Sequence, residues 1–424
     1  MDKEALIHVL RSEVKLSVGC TDLGAVCLAV NRAVRELGRK PDRIAVEVSP
    51  NVYKNGINVG VPGTGMRGLH VAAALGAVVE AENANLTLLQ HASEKSVQKA
   101  VELITRSAVS VDYIETHHPL YIKATVMAGD NSAHALIIND YASFDEVVIN
   151  DRIIEWTDDR IAIEARDELK NYSLKKLFEM VEELSIEDLR FLSDAAEVNR
   201  SAAISGLASP GLHLGTALRE ICCGLPGPYA SAALAQMMTA AACEARMSGL
   251  NVPVSSVTGS GNHGISCLLG VLAVAENLDS PVERTARALA ISTIVTIMIK
   301  EHSQKLSAFC GCAVASSAGI AAATVYLLGG GHEDSIHAIQ TVIGTLAGMV
   351  CDGAKESCAY KLSASASLAV QYGYMAMNGT YIPARMGILS ETIEGTFHNL
   401  GLLNYPGMVE TDRVLLNMIK DNLA

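Results

Sequence analysis

The stretch that decides the fold class is residues 109–154, VSVDYIETHHPLYIKATVMAGDNSAHALIINDYASFDEVVINDRII. Apolar and polar residues alternate along much of it, and β-branched residues are frequent. Turn-forming residues interrupt the alternation at Gly129, Asp130 and Asn131. Alternation with a period of two, broken by such turns, predicts an antiparallel sheet with one buried face.

The chain before this sheet mixes helical and extended patterns. Apolar residues at helical spacing predict helices, and the alternating segment DRIAVEVSP predicts a strand. The predicted elements are a helix over 3–17, a turn and helix over 18–37, a strand over 42–50, strand and loop over 56–65, and helices over 69–81 and 91–107.

The chain after the sheet is different in character. A polar stretch over about 155–172 is followed by Ala-rich helical runs separated by Gly or Pro. These runs cover 212–223, 229–248, 263–277, 281–300, 309–328, 333–348 and 357–377. The sequence therefore predicts an α+β fold: a mixed α/antiparallel-β domain over 1–165, then a mostly α-helical, Ala-rich domain over 166–424.

Composition limits the class of protein. Of 424 residues, 50% are apolar and only 19% are charged, so much surface must be buried, and we expect a homo-oligomer. The formal charge of −13 disfavours nucleic acid as a partner, because its phosphates require a basic surface. The longest apolar run, near 288–300, is too short to span a bilayer. The N-terminus has no signal-peptide pattern, so we expect a cytoplasmic protein without membrane contact.

Ten cysteines are present, and a reducing compartment argues against disulfides. Most free cysteines in proteins are simply small buried side chains. Three groups nevertheless have unusual settings: Cys20 at a predicted helix start, Cys310 and Cys312 around Gly311, and Cys351 and Cys358 around Asp352, Gly353 and Lys355. Zinc sites prefer close local spacing, which is missing, whereas an iron–sulfur cluster accepts three or four distant cysteines. A nucleophilic cysteine, which needs a nearby base, is the other alternative.

Two glycine-rich segments match G-x-G-x-x-G, GTGMRG at 63–68 and GSGNHG at 259–264. A dinucleotide site also requires a parallel strand before the loop and an acidic residue after the next strand, and neither context is predicted. Backbone N–H groups at the start of a helix can instead hold a carboxylate. Tight turns with close helix packing explain the pattern equally well.

Several segments together resemble the L-cysteine desulfidase family, distant relatives of the iron–sulfur L-serine dehydratase alpha subunit. The matching segments span nearly the whole chain and are VGCTD (18–22), SPNVYKNGINVGVPGTGMRGL (49–69), GSGNHGI (259–265), KLSAFC (305–310) and MVCDGAKESCAYK (349–361). Two positions depart from the family pattern: Asp22-Leu23 replaces Glu-Pro, and His263 replaces Gln.

The resemblance implies an oxygen-sensitive [4Fe–4S] cluster and no pyridoxal phosphate. The family's ligand cysteines fall on Cys20, Cys310 and Cys351, and Cys358 is a fourth ligand or a thiol near the site. Three thiolates would leave one iron open as a Lewis acid.

The implied reaction is β-elimination of L-cysteine to sulfide, ammonia and pyruvate, or of L-serine to ammonia and pyruvate. The residues expected to hold the substrate are Asn55, Gly63, Thr64, Gly65, Gly259, Ser260, Gly261 and Asn262. The candidates for the general base are His302, Lys305, Lys54 and His213, and Lys54 is a further candidate for the substrate carboxylate.

Two other classes remain open at this point. One is a non-enzymatic helical scaffold that buries its cysteines, which would be colourless and free of iron. The other is a pyridoxal-phosphate lyase with Lys355 or Lys361 as the Schiff-base residue.

Overall fold

The predicted sheet is present in the computed structural model, which describes residues 2–81, 83–156, 168–208, 211–222 and 224–423. The order in the six-stranded sheet is β3-β2-β4-β5-β6-β7. Only β2 and β3 pair in parallel, while the other neighbours are antiparallel. The strands are β1 (Val14–Val18), β2 (Arg43–Val48), β3 (Val109–Tyr113), β4 (Ile122–Ala128), β5 (Asn131–Ile137), β6 (Glu146–Ile149), β7 (Arg152–Trp156) and β8 (Pro253–Val257).

Helices cover one face of this sheet. Alternate residues of β4 are buried, as the sequence pattern predicts, and α2 packs against β4 and β5. Nearly every residue in the first half of α2 is buried, so its N-terminal end lies deep in the protein. The helices of this part are α1 (Lys3–Glu13), α2 (Thr21–Leu37), α3 (Pro50–Gly56), α4 (Leu69–Gly76) and α5 (Glu94–Thr105).

The predicted helix over 3–17 is wrong in its last turn. Helix α1 ends at Glu13, and the following residues form β1, which pairs antiparallel with β8. Pairing with a strand some 240 residues later overrides the local helical pattern. The region after the sheet is predicted to be mostly helical, with no strand at 253–257, so β8 is a second difference.

Apart from β8, the described chain from residue 168 onward is mostly helical, as predicted. Helices α9 and α15 pack along each other, and α7, α11 and α13 pack against them. Two regular π-helical turns, Ile265–Leu269 and Cys312–Ser316, interrupt the α-helical pattern, and a third, Leu403–Gly407, is kinked at Tyr405. The helices are α6 (Leu174–Glu182), α7 (Ile186–Ala208), α8 (Leu214–Ile221), α9 (Pro228–Met247), α10 (Gly261–Gly264), α11 (Gly270–Asn277), α12 (Val282–Ser303), α13 (Ser317–Leu327), α14 (His332–Leu346), α15 (Cys358–Met377), α16 (Ile393–Leu402) and α17 (Val409–Leu423).

Small residues allow the helices to approach closely. A methyl group added to Gly206 in α7 would lie 2.0 Å from the carbonyl oxygen of Ala241 in α9. We expect Gly206→Ala to lower the free energy of unfolding by about 1–3 kcal/mol, because overpacking outweighs the gain in helix propensity. Gly348→Ala is the matched control, since nothing lies within 4 Å of an added methyl group there. Urea unfolding midpoints test the prediction, and equal midpoints for the two variants would contradict it.

The α+β fold class is confirmed, with the sheet near the N-terminus and helices after it. The predicted boundary between residues 165 and 166 lies outside the described residues. Within the described chain, no helix has both the length and the apolar character needed to cross a membrane.

Candidate functional site

One buried pocket contains all four cysteines that the family resemblance implies as ligands. Cys20, Cys310, Cys351 and Cys358 line a cavity of about 90 Å³, together with Cys312. Cys20 and Cys310 are buried, and Cys351 and Cys358 are partly buried. The fold therefore brings thiols from distant parts of the chain to one enclosed place.

A short backbone pairing aligns Cys310 with Cys351. Phe309 and Val350 form an isolated antiparallel bridge. The backbone N–H of Cys310 donates to the Met349 carbonyl at 2.6 Å, and that of Cys351 donates to the Ala308 carbonyl at 2.7 Å. The two cysteines are thus diagonal neighbours on one face of the pairing, where side chains are about 7–8 Å apart.

Three of the four thiols lie at helix starts. Cys20 is the N-cap of α2, and Cys358 is the first residue of α15. The Cys310 carbonyl accepts from the N–H groups of Ala313 and Val314 at the start of the helical segment that continues into α13. The positive end of the helix dipole favours the thiolate form at each of these positions.

The two regular π-helical turns directly follow segments that line the pocket. Ile265–Leu269 follows the glycine loop at 259–264, and Cys312–Ser316 follows Cys310. π-Helical turns are rare in proteins as a whole, but those that occur are often found at functional sites, where they change the direction of neighbouring side chains.

Asp22 is a buried carboxylate held by three donors. The Cys20 thiol donates to it at 3.4 Å and the Tyr141 hydroxyl at 3.1 Å, and the Asn55 side chain also bonds to it. Burial raises the pKa of Asp22 to about 6, and the three hydrogen bonds oppose that rise. Burial thus disfavours the charged form of this carboxyl, and its hydrogen bonds stabilise it.

Two buried cations face the same pocket. Arg246 is 3% exposed and Lys300 is 2% exposed. Arg246 donates to Asn262 Oδ1 at 2.8 Å and to Thr21 Oγ1 at 3.3 Å, while its Nε has no partner. Lys300 donates to Ser307 Oγ at 3.0 Å, and burial lowers its pKa to about 8. In the part of the chain that the structure describes, no carboxylate forms an ion pair with either cation, so both charges are available to an anion.

The thiols differ in their electrostatic surroundings. Burial raises the pKa of Cys20 to about 12 and that of Cys358 to about 11. A hydrogen bond from the Cys312 thiol lowers the pKa of Cys310, and the charge of Lys361 acts in the same direction. A bound metal deprotonates a coordinating thiol outright, so high thiol pKa values do not oppose metal binding.

The donor set of the pocket consists mainly of thiols, which are the ligands of iron–sulfur clusters. Among the described residues, no three His, Cys, Asp or Glu side chains are close enough to hold one ion. Clusters are held instead by three or four cysteine thiolates distributed around several irons. Cys20, Cys310, Cys351 and Cys358 could supply that set, and the nearby cations would offset its negative charge.

The two glycine loops lie in different places. Gly259, Ser260 and Asn262 line the pocket, as does Asn55. Gly261 packs on the guanidinium of Arg246, where an added methyl group would lie 2.4 Å from Nε. The loop of Gly63, Thr64 and Gly65 is not part of the lining, although its sequence pattern is the same.

Of the four candidate bases, only Lys305 lines the pocket, and it pairs with Asp140 at 3.1 Å. Lys54 is buried and pairs with Asp412 of α17. His302 bonds to the Met298 carbonyl at 2.9 Å and packs on Phe397. His213 is exposed at the N-cap of α8. The last three lie outside the pocket lining.

Arg246, Lys300 and Tyr141 also line the pocket, although the sequence does not predict them as site residues. Arg246 and Lys300 each lie in the last turns of a largely apolar helix, α9 and α12, and each has a glutamate within two residues, so their position is only a weak signal. Nothing in the local sequence marks Tyr141, which reaches Asp22 through tertiary packing.

Comparison with known proteins shows similarity over almost the whole chain. A family model described as serine dehydratase alpha chain matches residues 83–417. A UPF0597 protein of Methanocella arvoryzae is 54% identical over 419 residues, covering 99% of each chain. UPF0597 proteins of Clostridium tetani and Parabacteroides distasonis are each 35% identical over 426 residues, covering at least 98% of both chains.

Proposed function

Because this chain belongs to the serine dehydratase alpha chain family, we propose that it is an iron–sulfur lyase that converts L-cysteine to sulfide, ammonia and pyruvate. The observation that carries the proposal is one pocket lined by five cysteines, four of them the proposed ligands, together with the buried carboxyl of Asp22 and Arg246, whose Nε has no hydrogen-bond partner. The reaction balances as cysteine plus water giving the three products.

The proposed cofactor is a [4Fe–4S] cluster on Cys20, Cys310 and Cys351, with Cys358 as a fourth ligand or a nearby thiol. When bound, a cluster with one iron free of protein thiolate supplies a Lewis acid. Cys20 and Cys310 are buried, which limits the access of water to these two thiols.

The charges around the thiols suit an α-amino acid zwitterion. Arg246 has an unused donor for the α-carboxylate, and Asp22 accepts hydrogen bonds and can face the α-ammonium. Asn262 and Thr21 orient the guanidinium, while Tyr141 and Asn55 orient the carboxylate. A substrate held by the two charged groups on its α-carbon leaves its β-carbon and leaving group free to face the thiols.

The positions of the four candidate bases do not favour a role in proton transfer. Three lie outside the pocket lining, and the ammonium of Lys305 is paired with Asp140, which Lys15 also contacts at 2.9 Å. Because its ammonium is paired with Asp140, Lys305 is better suited to stabilising the fold or to binding an anion.

L-Serine dehydration is the second candidate, favoured by the description of the matching family. Water is then the leaving group in place of sulfide. A pyridoxal-phosphate mechanism has less support, because Asp352 pairs with both Lys355 and Lys361. The pKa of Lys361 is raised: burial lowers it, but the hydrogen bond and charge of Asp352 outweigh that effect. A Schiff base needs the neutral amine.

The nine cysteines that the structure describes are all free, which supports a reducing, cytoplasmic location. The homo-oligomer expected from the composition stays a prediction.

Anaerobic purification, followed by assays with both amino acids, tests the function. We expect brown, iron-containing protein that releases sulfide and pyruvate in equal amounts from L-cysteine. We expect kcat/KM for L-cysteine to exceed that for L-serine by at least about tenfold, the scale of discrimination one differing group can provide. The reverse preference would favour the dehydratase. Colourless protein without lyase activity after iron and sulfide reconstitution would contradict both.

A further inference from the structure

A second cavity, of about 780 Å³, lies at the opposite end of α2 from the thiol pocket. One face of α2 contributes Asn31, Val34 and Arg35, and one face of α5 contributes Lys99 and Leu103, followed by the C-cap residue Arg106. Each set has the spacing of three and four residues that places side chains on one side of a helix. The volume is in the range of sites for small organic ligands.

The rim of this cavity is basic in an acidic protein. Five cationic residues line it, against two glutamates, Glu80 and Glu102. Within the described ranges, none of the five forms an ion pair with a carboxylate, although the chain as a whole carries a charge of −13. The cations are Arg35, Arg39, Lys40, Lys99 and Arg106. Unpaired guanidinium and ammonium groups around one concavity suit a phosphate.

The floor of the cavity is apolar and contains one unused acceptor. Val34, Val78, Val79 and Leu103 form its apolar part and are buried or half-buried. Asn31 is 4% exposed, and its Nδ2 donates to the Gly76 carbonyl at 3.0 Å and the Val79 carbonyl at 2.9 Å. Its Oδ1 has no partner. Buried polar atoms are normally satisfied, so a ligand with an N–H donor would complete this side chain.

We propose that this cavity binds a nucleoside monophosphate. The basic rim holds the phosphate, the apolar floor packs on the planar base, and Asn31 Oδ1 accepts an N–H of the base. Either component alone, an inorganic anion or an uncharged nucleoside, would use only part of the site. This site is separate from the two glycine-rich loops and does not depend on the reaction proposed above.

Titration calorimetry with AMP on the full-length, anaerobically purified protein tests the proposal. We expect saturable binding of AMP, with inorganic phosphate and adenosine each binding at least tenfold more weakly. The double variant Arg39→Ser, Lys99→Ser is expected to weaken AMP binding at least tenfold. Both residues are exposed, so the thermal unfolding midpoint of the variant should stay close to that of the unchanged protein.

The matched control is Arg43→Ser, Lys95→Ser. It removes the same two charges from exposed positions that do not line the cavity, one of them on α5. We expect this control to bind AMP as the unchanged protein does. Equal weakening by the two double variants, equal affinity for phosphate and AMP, or no AMP binding at millimolar concentration would each overturn the proposal.

Discussion

Replacing Cys310 with serine is expected to remove the iron–sulfur cluster and the lyase activity. Cys310 lies in the buried pocket, next to Cys351 across the Phe309–Val350 bridge. Its hydrogen bond from Cys312 and the charge of Lys361 favour the thiolate that a cluster requires. Iron and acid-labile sulfide per chain should fall to near zero after anaerobic reconstitution. Activity should drop by more than about a hundredfold, beyond the loss typical of a residue that only supports a ligand.

Cys312→Ser is the matched control for this prediction. Cys312 is two residues away, is also buried, and also lines the pocket. Serine keeps a hydroxyl that can donate to Cys310, so we expect Cys312→Ser to retain its iron and visible absorption. Circular dichroism on both variants would show that the fold is unchanged. Full iron content in Cys310→Ser would remove Cys310 from the ligand set and the main support for the proposed cofactor.

The elements predicted well are those whose signal is local. The alternation over 109–154 became β3 to β7 because one face of that sheet is buried. Strand β1 was missed because its partner, β8, is remote in sequence. Helix α3 was also missed, although Ser49 as N-cap and Pro50 in the first turn are ordinary signals for a helix start.

The candidate site was only partly predictable, because contacts between segments remote in sequence also decide which residues line it. The two glycine loops share one pattern, yet only 259–262 reaches the thiols, because tertiary packing decides which loop faces the pocket. The four cysteines that the family resemblance implies as ligands line one cavity, and their roles as ligands remain a proposal. Helices α9 and α12 are buried on nearly all sides around Arg246 and Lys300, so no hydrophobic periodicity separates these charges from surface residues.

Replacing Arg246 with lysine is expected to raise KM for L-cysteine while leaving the cluster intact. Lysine keeps the charge but cannot make the bond to Asn262 Oδ1, the bond to Thr21 Oγ1 and a bond to the substrate carboxylate in one planar arrangement. Loss of one hydrogen bond to a charged group corresponds to about 1.5–3 kcal/mol, or roughly a 10- to 150-fold rise in KM. Iron content and visible absorption should not change, because Arg246 is not among the proposed ligands.

Arg284→Lys provides the matched control. Arg284 also has an unpartnered Nε and donates to a backbone carbonyl, that of Tyr326, but it does not line the thiol pocket. Its replacement should change KM by less than about twofold, as expected for a site remote from the substrate.

L-Cysteine amide separates carboxylate binding from a general structural effect of Arg246. The amide lacks the carboxylate, so the unchanged enzyme should process it poorly, and Arg246→Lys should make it little worse. If the substitution lowers kcat/KM equally for cysteine and its amide, Arg246 does not contact the carboxylate. If it instead releases iron, the guanidinium supports the cluster pocket through Thr21 and Asn262 rather than the substrate. If Arg246→Lys lowers kcat/KM for L-cysteine but not for its amide, Arg246 contacts the carboxylate directly, because the two substrates differ only in that group.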